Sequence, residues 1–153
     1  MKSSITERIR PDVSWIDSIP QHWRVLPLLA CCHQHEHQNV GSHETNVLSL
    51  SYGRIVRRDV ETNFGLLPGS FDAYNRVAPG DVVLRLTDLQ NDVTSLRVGL
   101  VRQAGIITSA YVTLRPDAVQ VKPEWLFYLL HAYDVKKVFY ALGGGVSTTA
   151  SGP

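Results

Sequence analysis

Between positions 47 and 115 the chain carries eight arginines (Arg54, Arg57, Arg58, Arg76, Arg85, Arg97, Arg102 and Arg115) and no lysine. Arginine presents a planar fork of donors that fits guanine edges and phosphate oxygens, whereas lysine is a point charge. The bias suits recognition of nucleic acid. Six acids in the same stretch leave it only about two charges positive, so the field is modest. An ordinary mixed-charge surface is the competing interpretation.

Two sets of side chains could read DNA. Tyr52, Arg54, Arg57 and Arg58 lie at and after a turn; Arg54 or Arg57 suits a guanine edge and Arg58 a phosphate. Strand alternation sends Arg54 and Arg58 to one side and Arg57 to the other, so a regular strand cannot aim all three at one groove. Arg85, Thr87, Asp88, Gln90 and Asn91 form the second set, whose amides suit adenine edges. Ser109 and Tyr111 are further DNA-binding candidates, although Tyr111 reads equally well as half-buried core with its hydroxyl satisfied.

The rival constellation is Cys31-Cys32-His33-Gln34-His35-Glu36-His37. On a strand the three histidines share a face and could approach a zinc ion, which would make the chain a zinc-binding protein or small zinc-dependent enzyme; on a helix they fan apart. Their spacing matches no common zinc finger, and a solvated connector is the alternative. Adjacent cysteines lack the geometry for a mutual disulfide, which suits a reducing compartment. No nucleophile elbow, phosphate loop or paired carboxylate stands out, and Gly143-Gly144-Gly145 follows a helix instead of opening one. A non-enzymatic protein without a cofactor is the expectation.

The elements that must position these residues are mostly strands. At 153 residues, 44% hydrophobic and 19% charged, the chain suits one globular domain with a real core. The longest apolar run, residues 25–32, is broken by Pro27 and too short to span a bilayer. No apolar stretch follows Lys2, so a cytoplasmic protein is expected. Residues 1–22 read as an arm, with Trp15, Ile16 and Ile19 available to dock it. Residues 23–32 read as a short strand and then a helical turn after Pro27, and residues 33–44 as a polar loop or frayed helix end. Residues 47–51 and 54–60 read as strands around a Tyr52-Gly53 turn, and residues 63–70 as loop. After Pro79-Gly80-Asp81 comes the most strongly marked buried strand, Val82-Val83-Leu84-Arg85-Leu86. Residues 98–102 and 105–114 read as a hairpin around Gln103-Ala104-Gly105. Pro123-Glu124 opens an amphipathic helix that presents Trp125, Leu126, Leu129, Leu130 and Tyr133, and the three glycines stop it. The fold class is α+β (mixed α/β), strand-rich with a late amphipathic helix.

Several of these segments resemble one family. Ser14-Trp15-Ile16-Asp17-Ser18-Ile19-Pro20-Gln21-His22-Trp23 is similar to the opening of type I restriction-modification specificity subunits, with its tryptophan, Ile-Pro, tryptophan pattern. Val77-Ala78-Pro79-Gly80-Asp81-Val82-Val83 resembles their "v-x-pGDiV" segment. Gly105-Ile106-Ile107-Thr108-Ser109-Ala110-Tyr111 through Pro116 resembles "GI-x-T-x-aY-x-x-l-x-P". Residues 125–133 and 140–146 are similar to the "yl-x-y-l" helix and the "y-x-x-GgG" close.

The resemblance implies a DNA target-recognition domain over residues 23–146, preceded by the arm at 1–22. Such a domain reads one half of a bipartite double-stranded DNA target and catalyses nothing. Its partners in the family are methyltransferase (modification) subunits, which carry the S-adenosylmethionine chemistry, and a motor-nuclease (restriction) subunit. After Gly145-Val146 the family continues into a spacer helix that docks the methyltransferase, whereas residues 147–153 here depart from that pattern. Docking of those partners is thereby placed in doubt, and an inactive truncated remnant is the alternative expectation.

Overall fold

The computed structural model describes residues 7–14, 16–60, 68–89 and 91–142. Trp15, part of the 63–70 loop, Gln90, the triple glycine and the 147–153 tail lie outside the described residues. In chain order the strands are β1 (Arg8–Ile9), β2 (Ile19–Pro20), β3 (Cys32–Gln34), β4 (Leu48–Ser51), β5 (Arg54–Arg57), β6 (Asn75–Val77), β7 (Val82–Leu84), β8 (Val98–Leu100), β9 (Gly105–Ile107) and β10 (Val112–Pro116). The helices α1 (Pro123–Val135) and α2 (Val138–Leu142) follow, so the fold is α+β with a late helical layer.

An apolar side chain at every position of β7 forces both faces of that strand under cover, because successive side chains alternate between faces. β7 lies inside an antiparallel sheet of order β3-β10-β7-β8. Val82 and Leu84 meet Val98, Leu100, Leu114 and the helical residues Leu126 and Leu130 on one face. Val83 points the other way and packs with Leu48, Val77, Val101 and Ile107. Burying each such side chain contributes about 1.5–3 kcal/mol.

That second face is covered by two ribbons, β4-β5 and β6-β9. A parallel bridge between Val47 and Ile106 joins them, and Gln38 bridges Asn75 at the outer edge. The expected hairpin between residues 98–102 and 105–114 is therefore corrected. β8 pairs with β7, β9 with β6, and the 105–114 segment breaks into two strands that serve different layers. Gly105 shows why. A Cβ there would stand 2.5 Å from the Asn46 carbonyl oxygen, and the adjacent Ile106 N–H donates to that same oxygen at 2.9 Å.

Two local expectations change as well. The segment taken as loop from residue 33 begins with β3, which pairs with β10 through Arg115↔His33 and Leu114↔Gln34. The helical turn after Pro27 is a short 3-10 turn, Leu28–Ala30, with no strand over residues 23–27. α1 opens with Pro123 in its first turn beside Glu124, as the sequence predicts, and buries Leu126, Leu130 and Asp134. It is not the triple glycine that stops it. Lys137 takes the left-handed conformation (φ 61°) and the chain turns into α2. Among the described residues no helix is long and apolar enough to cross a membrane.

Candidate functional site

The apex of the β4-β5 ribbon is a two-residue turn with both central residues at positive φ, Tyr52 at 48° and Gly53 at 73°. These values define the primed turn whose twist matches a hairpin. Gly53 suits it; an aromatic side chain does not, and a residue held in this region costs about 1–3 kcal/mol. Tyr52 nevertheless sits there, 87% exposed. Arg54 pairs with Ser51 immediately after the turn and is exposed. No ion pair among the described residues engages it.

The apex stands beside the start of β8, since a Cβ on Gly53 would lie 3.2 Å from Leu96 Cδ1 and 3.6 Å from the Val98 carbonyl oxygen. Val98 is opposite Leu84, and Leu84 is opposite Val112. One rim of the molecule therefore holds Tyr52 and Arg54, the loop that leaves β7 at Arg85, and the turn before β10 that carries Ser109 and Tyr111. Arg57 is elsewhere. It pairs with Leu48 at the open end of the ribbon, three residues or about 10 Å from Arg54. Arg57 and Arg58 flank a separate recess of about 340 Å³ with Thr45, Asp59 and Val60. The set at and after the turn is thus divided between two ends of the ribbon. Arg58 lies beyond the end of β5, so strand alternation does not govern it.

The loop after β7 is built around Arg97. This side chain is 0% exposed and uses all five of its donors. Nη1 donates to the Arg85 and Thr87 carbonyls at 3.2 and 2.7 Å; Nη2 donates to the carbonyls of Asp88 and Asp92. Nε donates to the Tyr140 hydroxyl at 3.0 Å, and that hydroxyl donates to the Asp92 carbonyl at 3.1 Å. Asp134 accepts the Arg97 backbone N–H at 2.5 Å. Hydrogen bonds from Ser95 hold the Asp92 carboxyl well below the ordinary carboxylate range, aided by Thr94 and the Arg97 charge.

The second candidate set rides on this frame. Arg85 is half-buried, 3.6 Å from the Asp92 carboxylate. Thr87, Asp88 and Asn91 are exposed, and Asn91 Nδ2 donates to Asp88 Oδ1 at 2.7 Å. Gln90 lies outside the described residues. Tyr111 is half-buried against the core of Leu48, Val83 and Ile107, while Ser109 is exposed.

Arg97, Arg115 and Arg76 are held in contacts within the protein. Arg97 is the loop's hub, and Arg115 clasps the buried Asp81 with two contacts of 2.8 Å. Arg76 donates to Asn39 at 3.2 Å. Sequence reasoning missed the hub, although a lone charge within Leu96-Arg97-Val98-Gly99-Leu100 was a visible signal for it. Asp134, an acid on the apolar stripe of α1, is a second such signal.

His33, His35 and His37 do line up, with ring centroids 6.5 and 6.2 Å apart. Burial, the Arg115 charge and the neighbouring histidines hold His35 below its ordinary imidazole value, against the opposing pull of Asp81. Among the described residues no three His, Cys, Asp or Glu side chains converge so as to hold a metal ion.

No protein family, curated protein or solved structure gives a match to this chain.

Proposed function

We propose that this chain is a non-catalytic module that recognises double-stranded DNA in a sequence-specific way, of the kind that reads one half of a bipartite target in type I restriction-modification. The observation that carries the reading is the exposed, conformationally costly Tyr52 at a hairpin apex, with the exposed Arg54, which no ion pair among the described residues engages, beside it. A two-stranded ribbon fits the major groove, where an arginine fork can span O6 and N7 of guanine. Arg85, Thr87, Asn91 and Ser109 share the rim and extend the reading surface; Arg57 and Arg58 suit phosphate contacts farther along the ribbon. The segment resemblances supply the second support. They carry with them the further expectation of methyltransferase and motor-nuclease partners.

Fluorescence anisotropy of a labelled random-sequence duplex pool, at two salt concentrations, tests the proposal. Binding should weaken as salt rises, because arginines that meet phosphates release counterions. It should weaken further in a Tyr52→Ala/Arg54→Ala variant whose circular dichroism is unchanged. A folded protein that binds no duplex at low salt would overturn the proposal.

A further inference from the structure

Beside the rim lies a cleft of about 510 Å³ lined, among the described residues, by Glu36, His37, Gln38, Val40, Asn75 and Ser109. Gln38 and Asn75 are directly opposed across an antiparallel bridge. Opposed residues project side chains to the same face, with Cβ atoms about 5 Å apart, so both carboxamides leave the backbone on one face. Asn75 is only 4% exposed. Its backbone pairs with Ile107, while the bridge to Gln38 is held by the flanking bonds from Asn39 N–H to the Tyr74 carbonyl (2.8 Å) and from Arg76 N–H to the His37 carbonyl (2.7 Å), and Asn75 lines the cleft. No hydrogen bond among the described residues engages that carboxamide. Its donors and acceptor are therefore open to a ligand at the cleft.

The lining contains no lysine or arginine, and Glu36 contributes a carboxylate, so a phosphate is a poor occupant. Two carboxamides on one face supply the paired donor and acceptor that match adenine N6 and N7. Val40, 70% exposed at the same cleft, supplies the apolar contact that a thymine methyl takes. We infer that this cleft reads an A·T base pair, with Asn75 and Gln38 on the adenine edge and Val40 on the thymine methyl. The inference rests on the DNA-reading proposal and adds to the hairpin a second, chemically different reader on the same rim.

Selection of bound sequences from a random duplex pool, followed by competition with single-position variants of the selected site, tests it. The unmodified chain should select a site with an invariant A·T pair. Gln38→Ala alters an exposed side chain and should leave the fold intact; Asn75→Ala removes the buried amide. Each should reduce discrimination at that one pair by about tenfold or more, leaving the other positions and the affinity for the unselected pool unchanged. Val40→Ala should narrow the preference for thymine over uracil at the same pair. If both amide variants keep full discrimination at every position, the cleft is not a base reader and the inference falls while the hairpin reading stands. If the unmodified chain selects no sequence, DNA reading falls and the cleft's role with it.

Discussion

The Arg97 guanidinium and the Tyr140 hydroxyl meet at 3.0 Å, with Arg97 Cζ 5.5 Å from the centre of the same ring. This contact fastens the loop after β7 to the last helix. A segment that is polar and irregular in sequence thereby becomes a fixed support for Arg85, Thr87 and Asn91.

Replacing Arg97 with methionine should lower stability by about 3–5 kcal/mol, the usual cost of removing one partner from a buried charged network. Four loop carbonyls and the tyrosine would each lose a donor, although the Asp92 carbonyl keeps the Tyr140 hydroxyl and the Asp88 carbonyl keeps the Asp92 N–H. Lysine should not rescue, because a point charge cannot reach both sides of the fork. Urea unfolding measures the loss; a change within about 0.5 kcal/mol would show that the loop holds without its hub.

Tyr52→Asn should move stability and binding in opposite directions. Asparagine before glycine suits the primed turn, so the hairpin should gain about 1 kcal/mol. The exposed ring is lost, and DNA affinity should fall. Thermal melting alongside anisotropy checks both, and unchanged affinity would remove Tyr52 from the reading surface.

Acid should loosen the β3-β10 edge through His35. Its folded value lies below 6.5, so the unfolded chain binds more protons at mildly acidic pH. Stability is then retained above about 6.5 and declines as the pH falls from there toward the lower folded value. Arg115, Asp81, His33 and His37 are the charged and titratable groups that act on it. His35→Gln should flatten this slope in unfolding midpoints measured from pH 7.5 to 5.5. A slope equal to that of the unmodified protein would assign the acid sensitivity elsewhere. Asp92 acts lower in the scale: its depressed carboxyl favours the fold above the ordinary carboxylate range, and that contribution disappears in strong acid.

Gly105→Ala should cost about 1–3 kcal/mol, since the new methyl meets backbone at 2.5 Å as well as the Leu48 side chain. Gly69→Ala, with no atom of the described residues other than its chain neighbours within 4 Å of the added carbon, is the matched control and should change little. Equal effects in chemical denaturation would contradict the close approach that separates β9 from β8.

What the sequence alone determined is local. Val82-Val83-Leu84 required cover on both faces, Tyr52-Gly53 required a turn, and Pro123-Glu124 required a helix start. Each of these is set by steric and hydrophobic rules acting over a few residues. Which arginine lies inside, which strand partners Gly105, and that Gln38 meets Asn75 were decided by tertiary structure. Those outcomes depend on contacts between residues tens of positions apart. Arg97 and Arg54 are the same side chain to any local rule. Only the backbone carbonyls of Arg85, Thr87, Asp88 and Asp92 closing around one, and the hairpin apex carrying the other outward, make the first a buried hub and leave the second exposed.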